Sequence, residues 1–379
     1  MPRRLMAGSV VALIGVVFLA LWATGILRPG PEPDAAPEGG MTPMAEATSS
    51  PQEASAEFLD TWVEEDGRVV RRDQGDDTVS EGQAYGLLIA LGAGDEGSFS
   101  SIWAWTESNL MREDGLLAWR WQDGAVVDEE PASDADLDAA RALVLAGERF
   151  DRPEFTAAGL ALGEVILDEL TASTPLGRIL LPGLWAQGGA DYFYNPSYAA
   201  PAAFAQLGAA SGDPRWAELE EGAEAVGAAL LGKSPLPPDW AQVTAAGTTD
   251  AMPGAAGTGD DVRYSYDAAR FPLRYAESCS AEDRRLAAAV LEPLSRQDTL
   301  PAALDLGGTA LDPDEHPLGY LARAAASSAG GDADAAQDDV RRAVALGQQF
   351  PTYYGAAWIA LGRLMLETDE LGGCSPSAS

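Results

Sequence analysis

Three acidic side chains stand out by the company they keep. Glu81 lies in Thr78-Val79-Ser80-Glu81-Gly82-Gln83-Ala84-Tyr85-Gly86, Asp134 in Ala132-Ser133-Asp134-Ala135-Asp136-Leu137-Asp138, and Asp267 in Tyr264-Ser265-Tyr266-Asp267-Ala268-Ala269-Arg270. Each stands where an apolar helical run begins. Acids at such points have a structural explanation, because a first helical turn presents unpaired N–H groups and a partial positive charge. Ser133 or Asp134 can cap one helix, with Asp136 and Asp138 in its first turn, and Ser80 can cap the helix that carries Glu81. Capping accounts for one or two of these acids and leaves the others for chemistry. Carboxyl groups in unlike surroundings can divide general acid and general base work, since an apolar wall raises the pKa of one and a cation keeps another ionised. Tyr85 and its apolar helix can desolvate Glu81, whereas Arg270 shares a segment with Asp267.

The remaining titratable groups narrow the chemistry to these acids. His316, the single histidine, sits in Asp314-Glu315-His316-Pro317 and reads as an exposed loop residue. A histidine-based triad and a multi-histidine zinc site are thereby excluded. Cys279 and Cys374 are too few and too far apart for a metal cluster. In an exported domain they can pair as one disulfide tying the C-terminal tail to the body. No metal and no organic cofactor is needed. With 24 basic and 59 acidic residues the formal net charge is −35, and Lys233 is the one lysine. Such a surface repels phosphate backbones, so a nucleic-acid partner is disfavoured, whereas a neutral polymer meets no comparable penalty. The same excess of acid is what a salt-adapted surface carries.

The elements that must position these groups are mostly helical. Apolar residues make up 46% of the 379-residue chain, which is enough for a packed core and too much for a disordered protein. They recur at helical spacing over 56–63, 83–93, 99–110, 135–150, 153–170, 196–210, 215–231, 266–276, 281–296, 318–328, 333–350 and 353–367, with Gly-, Pro-, Asp- and Ser-rich stretches between. Alternating strand patterns are confined to short pieces such as 68–71. Trp103 and Trp105, inside an amphipathic segment, belong to the core. Ahead of the domain, Arg3 and Arg4 precede an uncharged run over 5–27, long enough at about 1.5 Å per residue to cross about 30 Å of hydrocarbon. The arginines should stay inside, which places the rest of the chain outside the cytoplasm. Lacking a good small-x-small site before 23–25, segment 1–28 reads as an uncleaved transmembrane anchor, with secretion the outcome if it is cleaved. Residues 29–55 have the composition of a flexible linker, 56–368 of a folded domain, and 369–379 of a disordered tail.

Three anchors in fixed order, SEGQAYG at 80–86, ASDADLDAARALVLAGERF at 132–150 and SYDAARFPLR at 265–274, make the chain resemble the family 8 glycoside hydrolases. This group of bacterial endoglucanases includes cellulases attached to cellulose-synthesis machinery. Shorter similar stretches are Leu180-Leu181-Pro182-Gly183, Tyr194-Asn195-Pro196-Ser197-Tyr198, Pro238-Asp239-Trp240 and Tyr353-Tyr354, and the likeness runs over 56–368. Twelve helices together with this resemblance imply an all-α fold, an (α/α)6 barrel preceded by the N-terminal membrane-crossing helix. A superhelical repeat array is the alternative, suggested by Gly331-Asp332-Ala333-Asp334-Ala335-Ala336, but no regular period of about 34 residues supports it.

By the same resemblance Glu81 is the general acid, Asp267 the general base, and Asp134 the residue that helps hold the sugar distorted at the cleavage point. Some branches of the family place the base elsewhere. The implied reaction is a single inverting displacement at internal β-1,4 bonds. It needs room for a water, which asks for carboxyl groups about 6.5–9.5 Å apart. Gly82 would let sugar or backbone approach closely. Substrate contacts are expected first from Trp119 and Tyr198, then from Trp185, Tyr194, Trp240 and Tyr85, because flat aromatic faces stack on sugar rings. Arg270 is expected on the base or the substrate. The expected protein is a monomeric, membrane-tethered endo-β-1,4-glucanase acting on a β-1,4-linked polysaccharide, with association with a cellulose-synthesis complex as one setting. A catalytically silent glucan-binding scaffold, a helical adaptor of an envelope complex, and a xylanase, chitosanase or lichenase of the same family stay open.

Overall fold

The computed structural model describes residues 50–187, 189–259 and 261–374. The apolar run 5–27 and residues 29–49 of the expected linker 29–55 lie outside the described residues, whereas 51–55 are not linker but the first turns of a helix that Ser50 caps, and no described helix is long and apolar enough to cross a membrane. Thirteen α-helices are found among the described residues. The first seven are α1 (Pro51–Trp62), α2 (Ser80–Ala93), α3 (Glu96–Asn109), α4 (Ser133–Arg149), α5 (Pro153–Glu169), α6 (Pro201–Ser211) and α7 (Arg215–Leu231). The others are α8 (Phe271–Ala276), α9 (Ala281–Ala289), α10 (Leu291–Leu294), α11 (Pro317–Ala329), α12 (Ala333–Gln349) and α13 (Tyr353–Glu367).

Neighbour relations among them close into a ring. Helix α2 packs on α4, α4 on α6, α6 on α8, α8 on α11, α11 on α13, and α13 back on α2. Each of these is backed by an outer helix: α3 on α2, α5 on α4, α7 on α6, α9 on α8, α12 on α11, and α1 on α13. Two concentric rings of six are consistent with the expected (α/α)6 barrel. The inner position explains the sequence of α2, whose residues 82–92 are buried without interruption, as a helix surrounded by others must be.

Local chemistry sets the helix ends. At α1, Ser50 and Glu53 form a reciprocal capping box: the Glu53 N–H donates to the Ser50 hydroxyl at 3.1 Å, and the Ser50 N–H donates to the Glu53 carboxylate at 2.6 Å. The caps expected at Ser80 and Ser133 are not made. Both serines are the first residues inside α2 and α4, and their hydroxyls are buried without a hydrogen-bond partner. Neighbouring loops take over the task, since the Ser80 N–H donates to the Trp119 carbonyl at 2.9 Å and the Ser133 N–H to the Pro182 carbonyl at 3.1 Å. The two inner helices that carry candidate acids are thus fixed by tertiary contacts.

Three expectations need correction. The fold is not purely helical. Three small antiparallel sheets are present, built from β1 (Thr78–Val79), β2 (Arg120–Gln122) and β3 (Ala125–Asp128), from β4 (Thr171–Thr174) and β5 (Gly177–Leu180), and from β6 (Tyr192–Tyr194), β7 (Trp240–Val243) and β8 (Thr249–Met252). Strands this short carry too few alternations to be read from a sequence. The helix expected over 266–276 begins only at Phe271 after a 3-10 turn, Ala268–Arg270. Lastly, residues 369–374 belong to the body. Leu371 is buried, its carbonyl accepts from Arg141 Nη2 at 2.8 Å and Gln206 Nε2 at 2.9 Å, and Cys374 is disulfide-bonded to Cys279.

Candidate active site

The three acids singled out by sequence converge on one guanidinium. Arg270 is 1% exposed. Its Nη1 donates to the Asp134 carboxylate at 2.9 Å and to the Tyr85 hydroxyl at 3.1 Å, and lies 3.6 Å from Glu81 Oε2. Its Nη2 donates to Asp267 Oδ1 at 2.5 Å. Glu81 and Asp267 therefore sit on different arms of the same planar group. Both reach solvent, with side chains 23% and 31% exposed, while Asp134 beneath them is 2% exposed.

The register of two helices explains this convergence. Asp134 and Asp138 are one turn apart on α4, and Arg270 and Arg274 are one turn apart on the segment that becomes α8. Asp138 accepts from both terminal nitrogens of Arg274, one of them at 2.7 Å. Two turns into α4 the charges reverse, and Arg141 donates to both carboxylate oxygens of Glu277, one of them at 3.0 Å. The spacing is the same at each rung, so the two segments run parallel. Asp136, on another face of α4, uses one oxygen to accept the Leu117 N–H at 2.8 Å and so holds the loop that leads to Trp119.

Glu81 is placed by its neighbours in SEGQ. Gln83 is fully buried, accepts the Val69 N–H at 2.6 Å and donates to Thr106 Oγ1 at 2.8 Å, locking α2 to the loop before it and to α3. At Gly82 an added Cβ would stand 2.7 Å from the Tyr353 hydroxyl. The glycine thus admits a tyrosine of α13, where the sequence reading expected backbone or sugar. Asp267 is placed by Asp239, of the stretch Pro238-Asp239-Trp240, a residue with no expected role in the site. One Asp239 oxygen accepts the N–H groups of Ser265 at 2.7 Å and Ala268 at 2.9 Å, and the other accepts the Ser265 hydroxyl. This clamp bends 265–268 into the turn that replaces the expected helix start.

Burial raises several of these acids together. Burial pushes the Asp134 pKa up to about 7, with Glu81 and Asp138 adding to the rise and Arg270 opposing it. Asp267 is also raised, by burial first and by Asp134, against the pull of Arg270, Asn195 and Trp240. The arginine does not by itself hold Asp267 low, because desolvation outweighs it. Burial and the nearby Asp267 push Asp239 up to about 6, against the hydrogen bonds of its turn.

Aromatic side chains extend from this centre. Tyr198 lies under the Arg270 guanidinium at 5.3 Å, Trp240 meets Tyr198 edge-on at 6.0 Å, and Trp185 meets Trp240 at 6.1 Å and Phe193 at 5.7 Å. Trp185 is 37% exposed and gives this row an open end. Tyr85 is fully buried and packs on Trp358, so it supports Arg270 and offers no face to a ligand. Tyr194 is likewise buried, in the small core beneath β6 and β7. Trp119 is half-buried and joins the site through its carbonyl on Ser80. A second group was missed by the sequence reading: Tyr266, His316 and Tyr354 contact one another at 5.1–6.1 Å. His316 is not an exposed loop residue. Its Nδ1 accepts the Leu318 N–H at 3.2 Å at the start of α11, and burial pushes its pKa down to about 4.

A solvent-open pair of carboxyl groups over a buried arginine, flanked by a row of aromatics, suits acid–base cleavage of a neutral, ring-containing polymer. Comparison with known proteins decides the lineage. Residues 34–364 match the model of glycosyl hydrolases family 8. The chain belongs to this family. A probable endoglucanase of Novacetimonas hansenii is 36% identical over 277 residues, covering 70% of this chain and 78% of that protein. An endoglucanase of Salmonella typhi is 35% identical over 199 residues, which is 48% of this chain and 52% of that relative. Among solved structures, the endo-beta-1,4-glucanase CMCax from Acetobacter xylinum superposes with a TM-score of 0.71 at 29% identity, covering 83% of this chain and 97% of that one. As a family 8 member the protein is a glycoside hydrolase.

Proposed function

We propose that the protein is an inverting endo-β-1,4-glucanase in which Glu81 is the general acid and Asp267 the general base. The observation that supports this reading best is the shared guanidinium of Arg270, which gathers Glu81, Asp134 and Asp267 yet keeps the two solvent-open acids on separate arms. Glu81, protonated, delivers its proton to the leaving glycosidic oxygen. Asp267 removes a proton from the water that attacks the anomeric carbon from the opposite face, and inversion follows from that single displacement. A raised pKa makes Asp267 a stronger proton acceptor once it is ionised. Asp134 remains a substrate-positioning group, and at neutral pH its partial protonation lets it donate as well as accept a hydrogen bond to a sugar hydroxyl. The Tyr198–Trp240–Trp185 row serves as the stacking surface for consecutive rings.

The names of relatives favour β-1,4-glucan over xylan, and an aromatic row that ends on the exposed Trp185 fits internal cleavage of a long chain. The enzyme works as a monomer outside the cytoplasm, with segment 1–28 as its tether to the membrane. Reducing-end release from carboxymethylcellulose tests the assignment. Glu81→Gln should lower kcat by about 10³-fold with the fold intact, and the wild-type product should appear as the inverted anomer. Unchanged turnover in that variant, or a retained anomer, removes the proposal.

A further inference from the structure

On the outer ring, α7 packs on α9 and brings three acids to one place. Glu220 and Glu224 lie one turn apart on α7, and Asp283 lies in the first turn of α9. One carboxylate oxygen from each lies within 4.8 Å of the others. Like charges one helical turn apart repel, and a third acid set against them adds to the cost. Asp283 is fully buried. The Ser278 hydroxyl donates to its Oδ2 at 2.6 Å, whereas Oδ1 is buried and has no hydrogen-bond partner. The Ser280 hydroxyl reaches Glu224 Oε1 at 3.3 Å. The arginines that follow Asp283 are engaged elsewhere: Arg284 donates to the carbonyls of Ser278 at 3.0 Å and Cys374 at 2.7 Å, and Arg285 pairs with Glu282.

A buried acceptor left in this way needs a donor or a cation. Burial pushes the Asp283 pKa up to about 7 against the Ser278 hydrogen bond, and Glu224, Glu220 and Glu282 add to the rise. Glu220 is raised as well, by burial first and then by Glu224 and Glu221. Oδ1 is out of reach of bulk water, but a bare calcium ion sits about 2.3–2.6 Å from its oxygens, closer than a hydrogen-bonded water. Three carboxylates supply hard oxygen ligands, and the half-buried glutamates leave room for water to complete a shell of about 6–8.

We propose that Glu220, Glu224 and Asp283 bind a divalent cation of the calcium type, which clasps α7 to α9. In calcium-free protein a proton fills this place, and the ion displaces it. Ser278, which orients Asp283, follows Glu277 at the end of α8 farther from Arg270. The site therefore serves the fold, whichever acids at Arg270 do the chemistry.

Thermal unfolding of the full-length protein, stripped with EDTA and then melted with and without about 2 mM CaCl2 in about 0.15 M NaCl, tests it. Calcium should raise Tm by about 2–4 °C. Glu224→Gln and Asp283→Asn should each abolish that shift, while Glu221→Gln, an exposed neighbour on α7, should keep it. Calorimetric titration of calcium supplies a second readout, with one site in the wild type and none in Glu224→Gln. No shift and no titratable site in the wild type would mean that the three acids hold a proton only, which overturns the proposal. A shift that persists in Glu224→Gln and Asp283→Asn, or that MgCl2 reproduces in full, would mean that calcium merely screens the acidic surface, and overturns it too.

Discussion

Arg270 and Arg141 are both fully buried arginines between the α4 and α8 segments, about 10 Å apart along the same parallel pair, and they are used in opposite ways. Arg141 is sealed. Its guanidinium meets Glu277, Gln206 and the Leu371 carbonyl, under a tail held down by the Cys279–Cys374 bond. Arg270 is shared among three carboxylates, two of which reach solvent, and its guanidinium lies over the Tyr198 ring. A saturated buried pair serves the fold, whereas one arginine among several acids leaves proton-carrying groups in reserve. The difference lies in what surrounds the charge and not in the pairing itself.

Substitution at the two arginine sites should therefore separate activity from stability. Arg270→Met should lower kcat on carboxymethylcellulose by about 100- to 1,000-fold, since the three acids lose the group that spaces them. Glu277→Ala leaves Arg141 buried without its carboxylate and should lower the unfolding free energy by about 3–5 kcal/mol, with kcat unchanged well below the melting point. Equal losses of turnover in both variants would erase the distinction. Cys374→Ser should lower stability by about 2–4 kcal/mol in denaturant titration, again with kcat unchanged, because the bond closes a separation of 95 residues and lies away from the acids.

A pH series adds the smallest effect and applies to both ends. Burial raises Asp134 and Asp283 to about 7. Between the ordinary carboxyl range and that value the native state binds more protons than the unfolded chain, so stability is greatest at the acid side and is lost as pH rises through about 7. Each group contributes a slope of at most about 1.4 kcal/mol per pH unit. Asp283→Asn should flatten the part of the melting-temperature profile that Asp283 supplies without moving kcat. An identical profile in that variant would show that Asp283 is ionised in the native protein.

Legibility followed range. The helical period of segments such as 153–170 and 333–350 was plain, because it depends on neighbours three and four residues away, and α5 and α12 lie there. The acids at 81, 134 and 267 were visible through their motifs. Their capping serines were misjudged, because the N–H groups of Ser80 and Ser133 are satisfied by carbonyls of Trp119 and Pro182, far along the chain. His316 was misplaced for the same reason, its burial coming from Tyr266 and Tyr354 on other segments. The clamp of Asp239 on the Asp267 turn leaves no local pattern at all.

What the sequence alone determined is the helical class and the family to which the residues belong, because periodicity and motif order are properties of contiguous residues. Which carboxyl groups share an arginine and which are open to solvent were decided only by tertiary structure. Burial and hydrogen-bond partners set those properties, and the partners come from segments more than a hundred residues apart that meet only when the ring of helices closes.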